Sequence, residues 1–131
     1  MTEETQAPAF DAPGLVQWLD TRPDDALDAL DFGVIGFDAD DVVRRYNAFE
    51  SKAAGLSPSR VLGHDLFTVV APCMNNYLVA QRFEDAAAQG GTLDDTIDYV
   101  LTLRMRPVKV RLRLADAPGA AHRYVLVQRS T

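Results

Sequence analysis

The spacing of apolar side chains predicts helices in the first 30 positions. Carboxylates follow Pro23, an arrangement that suits a helix N-terminus. We therefore expect 13–30 to form two short amphipathic helices, whereas residues 1–12 have little to pack and their first several residues are expected to be mobile. The apolar positions of the helices are Leu15, Val16, Trp18, Leu19, Leu27 and Leu30.

From Phe32 onward the pattern changes to that of a strand pair followed by short helices. Phe32–Phe37 and Val42–Tyr46 are predicted to form a hairpin around the turn Asp38–Asp41. Segments 47–56 and 59–62 have the mixed composition of short helical turns. Residues 64–70 then lead into the loop Ala71-Pro72-Cys73.

The second half predicts one longer helix and three strands. Asn76 is placed to cap a helix that runs to Gln89, where two glycines stop it. The alternation in 107–114 places Val108, Val110, Leu112 and Leu114 inward and Lys109, Arg111 and Arg113 outward. The three predicted strands are Thr92–Met105, Pro107–Leu114 and His122–Arg129. The complete order predicts an α+β fold, with a five-stranded antiparallel sheet covered on one face.

Composition and charge exclude several classes of protein. The 131 residues suit one domain, and 47% hydrophobic with 24% charged residues is typical of a soluble globular protein. The net charge of −6 argues against a nucleic-acid partner, so the basic residues at 104–113 are interpreted as a solvated strand face. The longest apolar run, 69–74, is too short to span a membrane.

The N-terminus and the cysteine count bear on location. The start MTEETQAPAF lacks the features of a secretory signal, and a single cysteine cannot form an internal disulfide. We expect a cytoplasmic protein that is a monomer without a membrane partner.

Cys73 and the pair Tyr46 and Glu50 are the candidate chemical groups. A cysteine close to a helix N-terminus can be a nucleophile, although a lone cysteine is more often a small buried hydrophobic residue. His64 and His122 lie in no recognisable motif, which argues against a cysteine hydrolase or a zinc site. Tyr46 and Glu50 are four residues apart and share one face if the segment is helical, but most such pairs lie on the surface.

Several segments, in this order and at this spacing, resemble the photoactive yellow protein family of PAS-type blue-light receptors. The resemblance covers about 27–129, with one residue gained in the turn 89–92. The segments are Leu27–Ile35, Tyr46–Glu50, Val70–Cys73, and Met105 with Pro107–Val110.

The resemblance implies a chromophore site. Cys73 would carry 4-hydroxycinnamic acid (p-coumaric acid) as a thioester, and Tyr46 and Glu50 would hold its phenolic oxygen. Residues 1–30 would form an N-terminal cap on a PAS-type chromophore-binding domain at 31–131. The remaining pocket residues would be Ala54, Leu56 and Met105.

Two pocket positions depart from the family pattern. Ala54 stands where a threonine would hydrogen-bond the tyrosine, and Leu56 stands where an arginine would shield the pocket. Leu103 also replaces an expected tyrosine. These changes are expected to retune the receptor rather than abolish it.

The function implied by the resemblance is light sensing without catalysis. Light would isomerise the chromophore from trans to cis, Glu50 would lose its proton, and the cap would be released toward an unidentified downstream signalling protein. Two alternatives remain open at this stage: a PAS-like module that binds a ligand or a partner without a chromophore, and a cysteine enzyme such as a thioesterase.

Overall fold

Five antiparallel strands form one sheet in the computed structural model, which describes residues 7–102 and 107–129. Their order across the sheet is β2-β1-β5-β4-β3, so the first hairpin lies beside the last strand of the chain. The predicted α+β fold with five strands is confirmed, and Leu103 and Met105 lie outside the described residues. The strands are β1 (Gly33–Phe37), β2 (Val43–Tyr46), β3 (Leu93–Leu101), β4 (Val108–Asp116) and β5 (Arg123–Arg129).

The helices are short, as the sequence predicts, but some boundaries differ. The last α-helix begins at Ala80 rather than near Asn76. The Asn76 side chain instead accepts hydrogen bonds from the backbone N–H groups of Leu78 and Val79, and so holds the turn before the helix. The α-helices are α1 (Leu15–Asp20), α2 (Asp24–Leu27), α3 (Ala48–Ala54), α4 (Pro58–Val61) and α5 (Ala80–Ala88); a π-helical turn, Leu66–Val70, and a 3-10 turn, Pro72–Met74, lie between α4 and α5.

One face of the sheet packs against the helices that follow β2. Aromatic rings form the centre of this inner core, with the Phe37 ring 5.5 Å from Phe67 and 5.0 Å from Phe83, both in edge-to-face geometry. Leu112 on β4 and Met74 in the 3-10 turn are also completely buried. The inner core therefore reaches from the sheet to the loop that carries Cys73.

The other face is also covered, which corrects the expectation of a sheet with one covered face. The N-terminal segment lies over it and forms an outer core, in which Phe10 packs 5.8 Å from Phe32. Phe10 shows that packing begins within a segment expected to offer little to pack. The outer core comprises Phe10, Leu15, Val16, Leu19, Leu27, Leu30, Phe32, Val34, Ala115, Tyr124 and Leu126.

Arg113 belongs to this covered face, although the alternation in β4 predicts it to point into solvent. It is 5% exposed, because its guanidinium donates to Asp94 and to the carbonyls of Phe10 and Ala12. Val108, predicted inward, is 40% exposed at the start of the strand. Periodicity alone could not identify Arg113 as a buried residue, because its partners come from a distant part of the chain.

A second buried arginine joins the segment of α1 and α2 to the sheet. Arg45 on β2 donates to Asp24 Oδ1 at 3.0 Å and to the carbonyl oxygens of Leu19 and Arg22 at 2.5 Å each. It also donates to the Tyr124 hydroxyl at 3.2 Å. The Leu19 carbonyl lies in the last turn of α1, where a cation is favourable, and the Arg22 carbonyl follows that helix. Charged hydrogen bonds therefore supplement the apolar packing of the cap.

We predict that Arg45→Met lowers the free energy of unfolding by about 2–4 kcal/mol, because buried carbonyls lose a charged donor. The matched control is Arg44→Met. Arg44 is adjacent on β2, but its side chain is 53% exposed and pairs with Asp38. The control should change stability by less than about 1 kcal/mol. Urea unfolding of both variants measures this, and equal losses would contradict the role given to Arg45.

Candidate functional site

Tyr46 ends β2 and presents a buried hydroxyl to the interior. Among the described residues, this hydroxyl is the buried side-chain polar atom without a hydrogen-bond partner. Burial raises the pKa of Tyr46, the negative charge of Glu50 raises it further, and the Arg129 guanidinium partly opposes both. Tyr46 thus remains a neutral donor with no acceptor. Tyr46 lies on a strand, as predicted, and Glu50 on the following helix, so the two residues do not share a helical turn.

Asn47 connects this strand to α3 and to the cap. Its Oδ1 accepts the N–H of Glu50 at 3.1 Å, which caps the helix, and also the N–H of Val34 at 2.9 Å. Its Nδ2 donates to the carbonyls of Leu27 at 3.0 Å and Phe32 at 2.9 Å. With 1% exposure, Asn47 uses all of its amide atoms inside the protein. An asparagine three residues before Glu50 is the capping signal that could have identified it.

Glu50 lies in the first turn of α3 with 1% of its side chain exposed. Its carboxylate oxygens accept hydrogen bonds from Arg129 Nη1 at 2.5 Å and Nη2 at 3.1 Å. Burial raises the pKa of Glu50, and the hydrogen bonds and charge of Arg129 act against that rise without cancelling it. Sequence reasoning missed Arg129, whose only signal is its place at the end of the last strand.

Gly33 makes room for the Glu50 carboxyl. A Cβ at this position would overlap Glu50 Oε1 and come too close to Cδ. Gly33 is the first residue of β1, which pairs with β5 and so approaches the strand of Arg129. The carboxyl therefore occupies space that any other residue at position 33 would fill.

Cys73 lies in the 3-10 turn and is half-buried against the inner core. Its carbonyl accepts hydrogen bonds from the Tyr99 hydroxyl at 2.5 Å and from Asn76 Nδ2 at 3.1 Å. Tyr99 belongs to β3, so the sheet fixes the backbone of the turn that carries the thiol. The roles of Tyr99 and Asn76 in this contact were not predicted, since 26 residues separate Tyr99 from Cys73.

The other predicted pocket residues lie at the end of α3. Ala54 is its last residue and is 8% exposed, while Leu56 packs partly against the inner core. Gly55 between them has φ 72°, the left-handed conformation that ends a helix. Tyr46, Leu56 and Cys73 each pack against the inner core. Met105, the last predicted pocket residue, lies outside the described residues.

Other classes of site receive no support within 7–102 and 107–129. No cluster of three histidine, cysteine or acidic side chains in that part of the chain could hold a metal ion. None of the helices described there is long and apolar enough to cross a membrane.

Comparison with known proteins identifies the family. A family model described as the PAS fold matches residues 27–131. The photoactive yellow protein of Halochromatium salexigens is 32% identical over 120 residues, which cover 92% of this chain and 95% of that protein. The chain belongs to the photoactive yellow protein family. This membership supports a photoreceptor-like role for the PAS domain.

Solved structures agree with this assignment. The photoactive yellow protein domain of the sensor histidine kinase Ppr from Rhodospirillum centenum is 35% identical, with a TM-score of 0.78 over 87% of this chain and 99% of that domain. The PAS domain of the quorum-sensing receptor RpfR from Cronobacter turicensis, in complex with BDSF, is 14% identical. Its TM-score of 0.60, over 78% of this chain and 96% of that domain, shows the shared fold alone.

We predict that Gly33→Ala lowers the free energy of unfolding by about 1–3 kcal/mol, because the added methyl displaces the Glu50 carboxyl. In a double-mutant cycle with Glu50→Ala, the loss caused by the methyl should largely disappear. Urea unfolding of the four proteins gives the interaction energy. Strictly additive losses would show that Gly33 and Glu50 do not compete for space.

Proposed function

We propose that the protein is a blue-light photoreceptor that carries a 4-hydroxycinnamoyl group as a thioester on Cys73. The observation that carries this proposal is the buried Tyr46 hydroxyl without a partner, beside a buried carboxyl. An unsatisfied buried hydroxyl costs about 1–3 kcal/mol, so the site favours a ligand that brings an acceptor to it. A phenolate oxygen is such an acceptor.

The neighbouring residues fit the same group. When bound, a 4-hydroxycinnamoyl thioester supplies absorption of blue light and a double bond that isomerises from trans to cis. Tyr46 would donate one hydrogen bond to the phenolic oxygen of this group. Glu50 would donate the second, because burial raises the pKa of its carboxyl and favours the neutral form. Cys73 is the thiol for attachment, since it is the single cysteine of the chain.

The departures from the family pattern tune this site. Ala54 offers no hydroxyl to Tyr46, in keeping with the unpartnered Tyr46 hydroxyl. Leu56 packs against the inner core and excludes water by contact rather than by charge. Both changes affect the surroundings of the phenolic oxygen and leave its two donors in place.

The signal passes from Glu50 to the cap. Loss of the Glu50 proton in the light would place a negative charge in the first turn of α3, beside Arg129. Asn47 binds both the Glu50 N–H and the Leu27 carbonyl, so a movement of this turn pulls on the end of α2. The cap, separated in this way, exposes a surface to a downstream signalling protein.

One observation favours a second function, a PAS-like module that binds a ligand or partner without a chromophore. Glu50 is paired with Arg129, and a paired carboxylate accepts hydrogen bonds rather than donating them. In such a module the ion pair would be a permanent structural contact.

We predict that protein made with an activated 4-hydroxycinnamoyl ester absorbs blue light and gains the mass of one acyl group. Cys73→Ala should fold, as judged by circular dichroism, and stay colourless with unchanged mass. Colour retained in Cys73→Ala would move the attachment elsewhere. A colourless wild type of unchanged mass would favour the chromophore-free module.

We predict that steady blue light accelerates amide exchange in 13–30 more than in 108–114 and 122–129, because the strands are held on both sides. The fluorescence of Trp18, whose ring lies 5.1 Å from the Arg22 guanidinium carbon, should change in parallel. Illuminated Cys73→Ala is the control and should show neither effect. Equal acceleration in strands and cap would indicate global unfolding, and no acceleration would remove the cap as the output element.

A further inference from the structure

The contact between Glu50 and Arg129 is a fork, with one guanidinium nitrogen on each carboxylate oxygen, at 2.5 and 3.1 Å. The Glu50 side chain is 1% exposed and that of Arg129 is 15% exposed. Two parallel hydrogen bonds between ions hold both partners in one orientation, and solvent screens such a pair weakly at this depth. This geometry favours the anionic form of Glu50, against the effect of burial on its pKa.

The proposed function requires the opposite state of Glu50 in the dark, because only a neutral carboxyl can donate to a phenolate. The two requirements belong to two states of the same residue. In one state Glu50 is neutral and gives its proton to a hydrogen bond. In the other state Glu50 is ionised and accepts both hydrogen bonds from Arg129, as in the structure.

We propose that Arg129 is the counter-ion that receives the Glu50 carboxylate after its proton has left, so that the Glu50–Arg129 fork is the charge arrangement of the signalling state. The inference rests on the proposed function and adds to it a positioning residue. Arg129 acts through Glu50 and forms no bond to the chromophore.

The proton balance of this step is simple. The proton would leave a Glu50 oxygen and bind the phenolate oxygen of the chromophore, and no other bond would form or break. Before transfer the site would hold the Arg129 cation, a phenolate and a neutral carboxyl; afterwards it would hold the same cation, a carboxylate and a neutral phenol. The total charge is unchanged, but the anion has moved to the position that the Arg129 fork touches. Arg129 therefore favours the state after transfer.

The groups that act on Glu50 come from two strands. Tyr46 on β2 interacts with the Glu50 charge, and Arg129 on β5 interacts with both. Tyr46 stays neutral, so Arg129 supplies the positive charge at the carboxyl. Arg129 is the last residue of β5, the central strand, and pairs there with Val110 of β4, so the sheet holds the backbone that carries the cation.

The first experiment uses the protein without a chromophore. The ¹³C signal of the Glu50 carboxyl is followed by NMR against pH in the wild type, Arg129→Gln and Arg129→Lys. Removing the cation should raise the Glu50 midpoint by at least about one pH unit, and lysine should raise it less. The matched control is Arg111→Gln. Arg111 is exposed on β4 opposite Gln128, the neighbour of Arg129, and should leave the midpoint unchanged.

A midpoint in Arg129→Gln equal to that of the wild type, or a rise of the same size in Arg111→Gln, would overturn the inference. If Arg129→Gln does not fold, the wild type alone tests the inference. Its Arg129 guanidinium ¹⁵N signals should then shift with pH at the same midpoint as the Glu50 carboxyl, and signals that do not shift would overturn the inference.

The second experiment uses chromophore-loaded protein under steady blue light. Infrared difference spectra should show a protonated-carboxyl band that is lost in the wild type and persists to a greater extent in Arg129→Gln. If the Glu50 midpoint rises by about one pH unit, the ratio of ionised to neutral Glu50 should fall about tenfold. An equal loss of the band in both proteins would contradict the inference. Failure to load a chromophore would remove the proposed function but leave the NMR result standing.

Discussion

The buried carboxyl of Glu50 constrains several elements of the fold at once. A carboxyl in this position needs space, a fixed backbone and a partner for its charge. Gly33 provides the space because it has no side chain, Asn47 fixes the turn by capping α3, and Arg129 provides the partner from the last strand. Removing one partner of such a pair leaves an uncompensated charge, which is why the three contributions depend on one another.

The sheet is buried on both faces, and the two faces are held differently. The inner core is almost entirely apolar, whereas the outer core is accompanied by the buried guanidinium groups of Arg45 and Arg113, which bind backbone carbonyls of the N-terminal segment. The N-terminal segment is therefore held to the outer face by charged hydrogen bonds as well as by apolar contacts.

The strands and short helices could be predicted because they depend on local spacing, turn residues and capping. The alternation in β4 located that strand, and the glycines after Gln89 located the end of α5. The same local reasoning failed for Arg113 because its burial depends on Phe10 and Ala12, about one hundred positions away in the chain. Tertiary contacts of this kind leave no periodic trace in the sequence.

The residues of the candidate site were likewise predicted only in part from the sequence. Tyr46, Glu50 and Cys73 were singled out by residue type and by resemblance to a family, and the structure places Tyr46 beside Glu50 and puts Cys73 at the margin of the same core as Tyr46. Arg129 was missed because 79 residues separate it from Glu50.

The amide of Asn47 joins the turn that carries Glu50 to the carbonyl at the end of α2. One buried side chain thus contacts both the turn of Glu50 and the end of α2. Of its four hydrogen bonds, one reaches Leu27, one caps α3 at Glu50, and two hold Phe32 and Val34 at the start of β1. The turn that carries Glu50 and the end of α2 therefore share one buried partner.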